Sequence, residues 1–295
     1  MAKKISSIKK YASKFFKKQT KKSEVLFIRG YAKSGTNWVC NLLNLHPDIN
    51  CKGEFHLDKL FTGLLAMQES KWSILNREQP ELLSISFYQL AKELVIKTCE
   101  NAPVCGDRTP TSIRSTFIPK VKNIYITRDG RDVIVSWAYH AFNRELVSRP
   151  SMKEKLESFK KNSNYFEENK QELLSTEAFV RGFSRKWSNQ IVDDFKMMHA
   201  ADRGENQLDY MWIQYEDLHQ NTEKIRKKLY QYLEIDGVLA KALTNRTKAG
   251  IKKTNNTSFY RKGAVGDWEN YFTDEQLDWF MEEASEGIAL LNKNK

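Results

Sequence analysis

Acidic residues are missing from the start of this chain: nine lysines and no Asp or Glu lie between Lys3 and Lys22, while the 295 residues together carry a net charge of +11. Setting those nine aside leaves +2 on the other 273 residues, so the basic character belongs to one short stretch and no nucleic-acid partner is expected of the rest. Cysteine is scarce as well. The four present, Cys40, Cys51, Cys99 and Cys105, form no C-x-x-C pair and fall mostly on apolar positions. They read as reduced core thiols of a cytoplasmic protein and not as a disulfide framework. Five scattered histidines show no ligand pair of zinc spacing, so no metal centre is expected, and His199 and His219 read as surface residues. No apolar run approaches the ~20 residues of a membrane span, and no signal-peptide core is visible.

What is present sorts into a tail and a domain, with residues 1–22 as a basic amphipathic tail and 23–295 as the catalytic part. In the tail, Ile5, Ile8, Tyr11, Ala12, Phe15 and Phe16 recur at helical spacing with lysines between them. That pattern suits a helix lying on an anionic membrane surface, and equally a disordered or partly docked solubilising arm. The expected location is therefore cytoplasmic, with a peripheral membrane contact as one of two readings of the tail. The domain alternates apolar strands with amphipathic helices. This predicts a single α/β domain with a central parallel sheet flanked by helices, of the P-loop nucleotide-kinase-like kind, its ligands at the C-terminal ends of the strands. Strands are expected near 25–29, 49–52, 103–106, 123–127 and 210–214, and helices near 36–46, 84–100, 130–143, 176–199, 221–233 and 274–291. The polar stretch Ser148–Glu172 reads as a mobile insertion over an acceptor site or as a solvated helix pair.

Val25 to Leu45 reads VLFIRGYAKSGTNWVCNLLNL, a strand that breaks at Gly30 into a Lys-Ser-Gly-Thr turn and enters an amphipathic helix. The amides of Ser34, Gly35, Thr36 and Asn37 are expected to line the first helical turn, where unpaired N–H groups and the helix dipole attract a phosphate-like anion. Gly30 and Gly35 have the spacing of a Walker A loop, but Thr36 follows Gly35 and the lysine has moved forward to Lys33. From there a lysine cannot wrap a β/γ-phosphate pair, although it can touch the oxygen bridging one phosphate to its neighbour. An ordinary strand-turn-helix with a solvated lysine remains the alternative for this loop alone.

Two further segments narrow the choice. Asn123 to Phe142, NIYITRDGRDVIVSWAYHAF, repeats the strand-turn-helix pattern, with Arg128 at the strand end and Ser136 eight residues later. Arg261 to Thr273, RKGAVGDWENYFT, supplies two cations, a glycine-rich turn and an aromatic. In this order, KSGT, R-x-x-x-D-x-x-x-S and RKG followed by GDW, the chain resembles a sulfotransferase that uses 3′-phosphoadenosine-5′-phosphosulfate (PAPS). The resemblance implies Lys33, Ser34, Gly35, Thr36 and Asn37 around the 5′-phosphosulfate, and Arg128, Ser136, Arg261, Lys262 and Gly263 around the 3′-phosphate. It also implies Trp38 beside the adenine and Tyr215, in WIQYEDL, near the base.

The same resemblance suggests the chemistry. Gly53-Glu54, after the second strand, is similar to the G-E segment of the bacterial, tyrosylprotein and carbohydrate branches, whose glutamate is the general base, so Glu54 is the expected base. The small-molecule branch uses a histidine deeper in the chain whose surrounding motif is not found here. His56 is the fallback, since positions 54 and 56 share a face if the strand continues. Arg108, in GDRTP, resembles the turn that places a cation near the sulfuryl group, and alternatively pairs with Asp107 or another carboxylate. The implied reaction is an in-line displacement on PAPS that leaves 3′,5′-adenosine bisphosphate (PAP), without a metal. Its acceptor is a hydroxyl of a carbohydrate, lipid, peptide or phenolic metabolite. A P-loop ATP-dependent kinase, and a membrane- or nucleic-acid-binding module with a vestigial nucleotide pocket, are the alternatives.

Overall fold

A computed structural model describes residues 23–72, 74–147, 150–244, 247 and 263–293. The tail and the cations Arg261 and Lys262 lie outside the described residues. Five strands, β1 (Glu24–Arg29), β2 (Ile49–Lys52), β3 (Val104–Arg108), β4 (Lys122–Thr127) and β5 (Asp209–Gln214), form one sheet in the order β2-β3-β1-β4-β5, every pairing parallel. The chain runs from β1 outward to β2, returns to β3 and then crosses to β4 on the other side. The strand order therefore reverses beside β1, and crevices form at such a reversal above the strand C-termini.

Each strand divides its side chains between two cores by alternation. Leu26, Ile28, Ile124 and Ile126 join Val39, Leu42 and Leu43 of helix α1 (Thr36–Leu43) on one face. Val25 and Phe27 point the other way, onto Leu57 and Phe61 of α2 (Leu57–Glu69) and Ala91 and Val95 of α3 (Pro80–Thr98). Beyond β4, Tyr125 enters a larger core with α4 (Gly130–Asn143), α5 (Pro150–Lys161), α6 (Glu177–Asp202) and α8 (Asp274–Lys293). Helix α7 (Thr222–Tyr232) closes the first face through Ile225 and Leu229. With both faces covered, the strands are the near-continuous apolar runs seen in the sequence.

All five expected strands and six expected helices are present, within a few residues at their ends. Helix α2 and the short helix Ile74–Glu78 were not expected. The described residues of the 148–172 stretch are not a merely solvated helix pair: Met152, Leu156 and Phe159 of α5 and the neighbouring Phe166 are buried, and the Phe166 ring lies 4.6 Å from that of Phe142 on α4. Its polar composition hides an apolar stripe at i, i+4 and i+7. The four cysteines are free and buried.

Candidate active site

The loop after β1 is built by close approach. A Cβ at Gly30, whose φ is +152°, would collide with the Ile126 carbonyl oxygen, and a Cβ at Gly35, φ +106°, would lie 2.7 Å from the Tyr215 ring. Only glycine fits either place. Gly35 occupies the N-cap of α1 and no side chain caps that helix, so the first-turn N–H groups of Thr36 and Asn37 have no intrahelical acceptor. The Ser34 amide is an exception to the expected row of donors, because it closes the loop by donating to the Tyr31 carbonyl at 3.0 Å. The Ser34 hydroxyl is fully buried with no hydrogen-bond partner. Lys33, in left-handed conformation at φ 74°, is lowered to about pKa 8, first by burial and then by Arg128 and Arg144. A desolvated cation beside an unpaired hydroxyl and open helix amides makes a site for an anion.

A second cation stands at the end of β4. Arg128 is 5% exposed and lies over the Tyr215 ring with its guanidinium carbon 4.2 Å from the centroid. Its Nη2 donates to the Ala264 carbonyl at 2.8 Å and sits 3.6 Å from Asp132, while its buried Nε has no partner. Asp132, in the first turn of α4, accepts from the amides of Gly266 at 2.9 Å and Trp268 at 3.0 Å. Arg131 reaches back to Asp129 and covers the Trp268 ring at 3.9 Å. The Tyr215 hydroxyl donates to the Gly263 carbonyl at 3.0 Å, so Gly263 and the GDW turn are fastened over the ends of β4 and β5. Ser136 follows Asp132 by four residues on the same helix face, half-buried. The Trp38 indole packs edge-on to Tyr215 at 5.4 Å and donates to the Thr247 carbonyl at 2.8 Å. His219 is half-buried, its ring 6.2 Å from both of these aromatics, and is not the surface residue its sequence suggested.

Between β2 and α2 the structure brings three expected groups together. Arg108 Nη1 lies 2.5 Å from Glu54 Oε1, and His56 Nε2 lies 3.4 Å from Glu54 Oε2. The shared strand face expected for positions 54 and 56 is absent, because β2 ends at Lys52 and His56 turns left-handed, φ 51°, to cap α2. The two side chains meet through that turn instead. Arg108 pairs with Glu54 and not with Asp107, whose carboxylate is taken by Arg29 at 2.7 Å. Asp107 also accepts from the Thr109 hydroxyl at 2.7 Å and the Phe55 amide at 3.4 Å. One buried pair thus ties the end of β1, the end of β3 and the residue after Glu54. His140, on α4, has its pKa lowered by burial and then by the charges of Lys33 and Arg144, with Glu54 opposing. The field of both the loop lysine and the glutamate reaches it. Among the described residues, no group of three or more His, Cys, Asp or Glu is arranged to hold a metal.

A sulfotransferase-domain family model matches residues 23–289. The chain belongs to the sulfotransferase family. Among curated proteins it is 27% identical to sulfotransferase 2A1 of Mus musculus over 91% of this chain and 85% of that one. It is 29% identical to sulfotransferase 2A6 of Mus musculus, over 88% and 82%. Among solved structures, mouse sulfotransferase SULT7A1 complexed with PAP is 19% identical, covers 94% of this chain and 90% of its own, and superposes with a TM-score of 0.48. The protein is a transferase that moves a sulfuryl group, and neither the ATP-dependent kinase nor the vestigial binding module is favoured. Asp132 and His140 went unassigned in the sequence, while Asp107 was read only as an alternative partner of Arg108 and His219 as a surface residue. The signal for Asp132 was its place inside R-x-x-x-D-x-x-x-S, whereas His140 carries no local mark.

Proposed function

We propose that the sulfuryl donor is PAPS and that Glu54 activates the hydroxyl of the acceptor. The observation that carries this reading is the pair of cationic subsites at the ends of β1 and β4, Lys33 with the unpaired Ser34 hydroxyl at one and Arg128 at the other, joined through Tyr215. A 5′-phosphosulfate suits the first and a 3′-phosphate the second. The buried Nε of Arg128, still without a partner, fits an additional anionic acceptor. Ser136, Gly263, Arg261 and Lys262 complete the second subsite in this reading, the last two from outside the described residues. Trp38 and Tyr215 flank the nucleotide base.

In the reaction Glu54 accepts the proton of the acceptor hydroxyl as its oxygen attacks sulfur. Lys33 and the amides of Thr36 and Asn37 stabilise the charge that develops on the departing phosphate. Arg108 orients the Glu54 carboxylate through Oε1 and stands where sulfuryl oxygens would be steadied, while His56 holds Oε2. None of these steps calls for a metal. The acceptor is a hydroxyl of a carbohydrate, lipid, peptide or phenolic metabolite, the cytoplasm is the proposed location, and residues 1–22 are a proposed contact with an anionic membrane.

Calorimetry without Mg²⁺ tests the donor. PAP should bind about 10²-fold more tightly than 5′-AMP if two charge-assisted hydrogen bonds distinguish them. Equal affinities, or tight binding of Mg-ATP alone, would refute the PAPS assignment.

A further inference from the structure

Asp194, on α6, is a fully buried carboxylate that the reaction described above does not use. Its Oδ1 accepts from the Ser112 hydroxyl at 2.5 Å and the Ile113 amide at 3.0 Å, and Gln190 donates to Oδ2 at 3.4 Å. Burial raises its pKa to about 6, while Ser112, Tyr125, Ile113 and Gln190 oppose the rise. The Tyr125 phenol is pushed well above its ordinary range by burial and then by this carboxylate, so all four opposing groups are neutral at pH 7. A carboxylate buried among neutral donors adds little to stability. What it supplies is short, directional hydrogen bonds.

The residues it holds lie between two parts of the site. Arg108, which meets Glu54, ends β3 four residues before Ser112. The Thr111 carbonyl, one residue before Ser112, accepts at 3.1 Å from the amide of Gly30, which opens the anion loop. Residues 109–113 form neither helix nor strand, so contacts with other elements set their path. Packing fixes the buried Ile113 side chain, but packing has no direction, and the Asp194 carboxylate orients the Ser112 hydroxyl and the peptide joining Ser112 to Ile113. We propose that Asp194 is a positioning residue for sulfuryl transfer: through the 111–113 turn it holds the Gly30 end of the anion loop and the Arg108 end of β3 in register with each other. This rests on the assignment of that loop to the donor and of Glu54 to the acceptor.

Three variants of the full chain test this, each compared with the wild type under conditions where urea titration shows it folded. Asp194→Ala should bind PAP about tenfold more weakly, since a small misplacement of the loop is costly at a preorganised site. Asp194→Asn keeps an acceptor for Ser112 and Ile113 and should bring the affinity back to within about twofold of the wild type. Ser112→Ala removes one of the two bonds to Oδ1 and should weaken PAP by about threefold; it decides the matter alone if Asp194→Ala does not fold. Amide hydrogen exchange in residues 28–35 and 107–111 should rise in both alanine variants. Variants that lower the urea midpoint but keep wild-type PAP affinity and exchange would overturn the proposal, because a contact that serves stability alone behaves in that way. So would an Asp194→Asn protein as impaired as Asp194→Ala, which would assign the effect to charge and not to position. If the wild type does not bind PAP, the donor assignment fails, and the exchange of residues 28–35 and 107–111 still decides whether Asp194 holds these segments.

Discussion

Arg29 and Asp107 form an ion pair at 2.7 Å in which both side chains are fully buried, and each partner precedes a residue of the site by a short step. Gly30 opens the anion loop after Arg29, and Arg108 follows Asp107. Arg29 also donates to the Thr116 hydroxyl at 2.7 Å and to the Asp107 carbonyl at 3.0 Å, so few of its donors are left unsatisfied. Burial lowers the Arg29 pKa and Asp107 raises it, which is the balance expected of a desolvated pair. Removing one member strands a charge in the core. Asp107→Leu or Arg29→Met should each destabilise the fold by about 3–5 kcal/mol, whereas Arg29→Met/Asp107→Leu should be less destabilised than the sum of the two. Urea denaturation of the four proteins measures this, and strict additivity would show that the pair does not act as a unit.

Asp132 governs the second subsite without being a candidate for contact with the nucleotide. It holds two amides of the Gly266–Trp268 turn and faces Arg128. In Asp132→Asn one oxygen becomes a donor, so one amide loses its acceptor and Arg128 loses its countercharge. PAP affinity should fall by about tenfold. Ser136→Ala, which removes one neutral hydroxyl, should cost less. Calorimetry on both variants decides, and an unchanged affinity in Asp132→Asn would show that the turn does not depend on this clamp.

Lys33 predicts a pH dependence with a definite sign. In the free protein its pKa is lowered to about 8 by burial and neighbouring arginines, and an anion in the loop must raise it again. Below pH 8 the lysine is charged in both states and affinity for PAP should be flat on its account. Above pH 8 binding must take up a proton, so affinity should fall toward tenfold per pH unit until the bound-state pKa is reached. Calorimetry at pH 9 in two buffers of different ionisation enthalpy should register this uptake. Lys33→Ala should abolish it and lower kcat by about 10²-fold or more. Proton uptake that survives in Lys33→Ala would assign the titration to another group.

The strands were legible because each is a short apolar run between turn residues, and so was α4, whose caps and stripe are strong. Helix α2 was not: Gly63 interrupts it, and Leu60, Leu65 and Met67 point outward, which blurs the period on which a helix assignment rests. The anion loop was readable as spacing, since Gly30 and Gly35 answer to local steric demands. Partnerships were not. Arg29 meets Asp107 across 78 positions, and Asp132 meets Gly266 across 134, distances at which only the sheet order brings residues together. The Glu54–His56 proximity was anticipated for the wrong reason, because a left-handed residue, not a continuing strand, creates it.

The assignment of Glu54 as base is the most exposed to test, because the structure offers two neighbours that confuse it. Arg108 pairs with Oε1 and His56 approaches Oε2, so any of the three side chains disturbs the others when changed. Glu54→Gln keeps the shape and an acceptor for Arg108 but removes the proton acceptor. It should lower kcat by about 10² to 10⁴-fold and leave PAP affinity nearly unchanged. His56→Asn removes only a contact to Oε2, and its kcat should fall by no more than about tenfold, since the Arg108 pair still orients the carboxylate. Arg108→Lys keeps the charge but not the geometry of the short contact and should fall between them. The three variants, assayed for transfer from labelled PAPS to a hydroxyl acceptor, rank the roles. If His56→Asn abolishes turnover while Glu54→Gln does not, the base is the histidine and Glu54 merely orients it. If neither variant matters, His140, whose surroundings include both Lys33 and Glu54, becomes the group to change next.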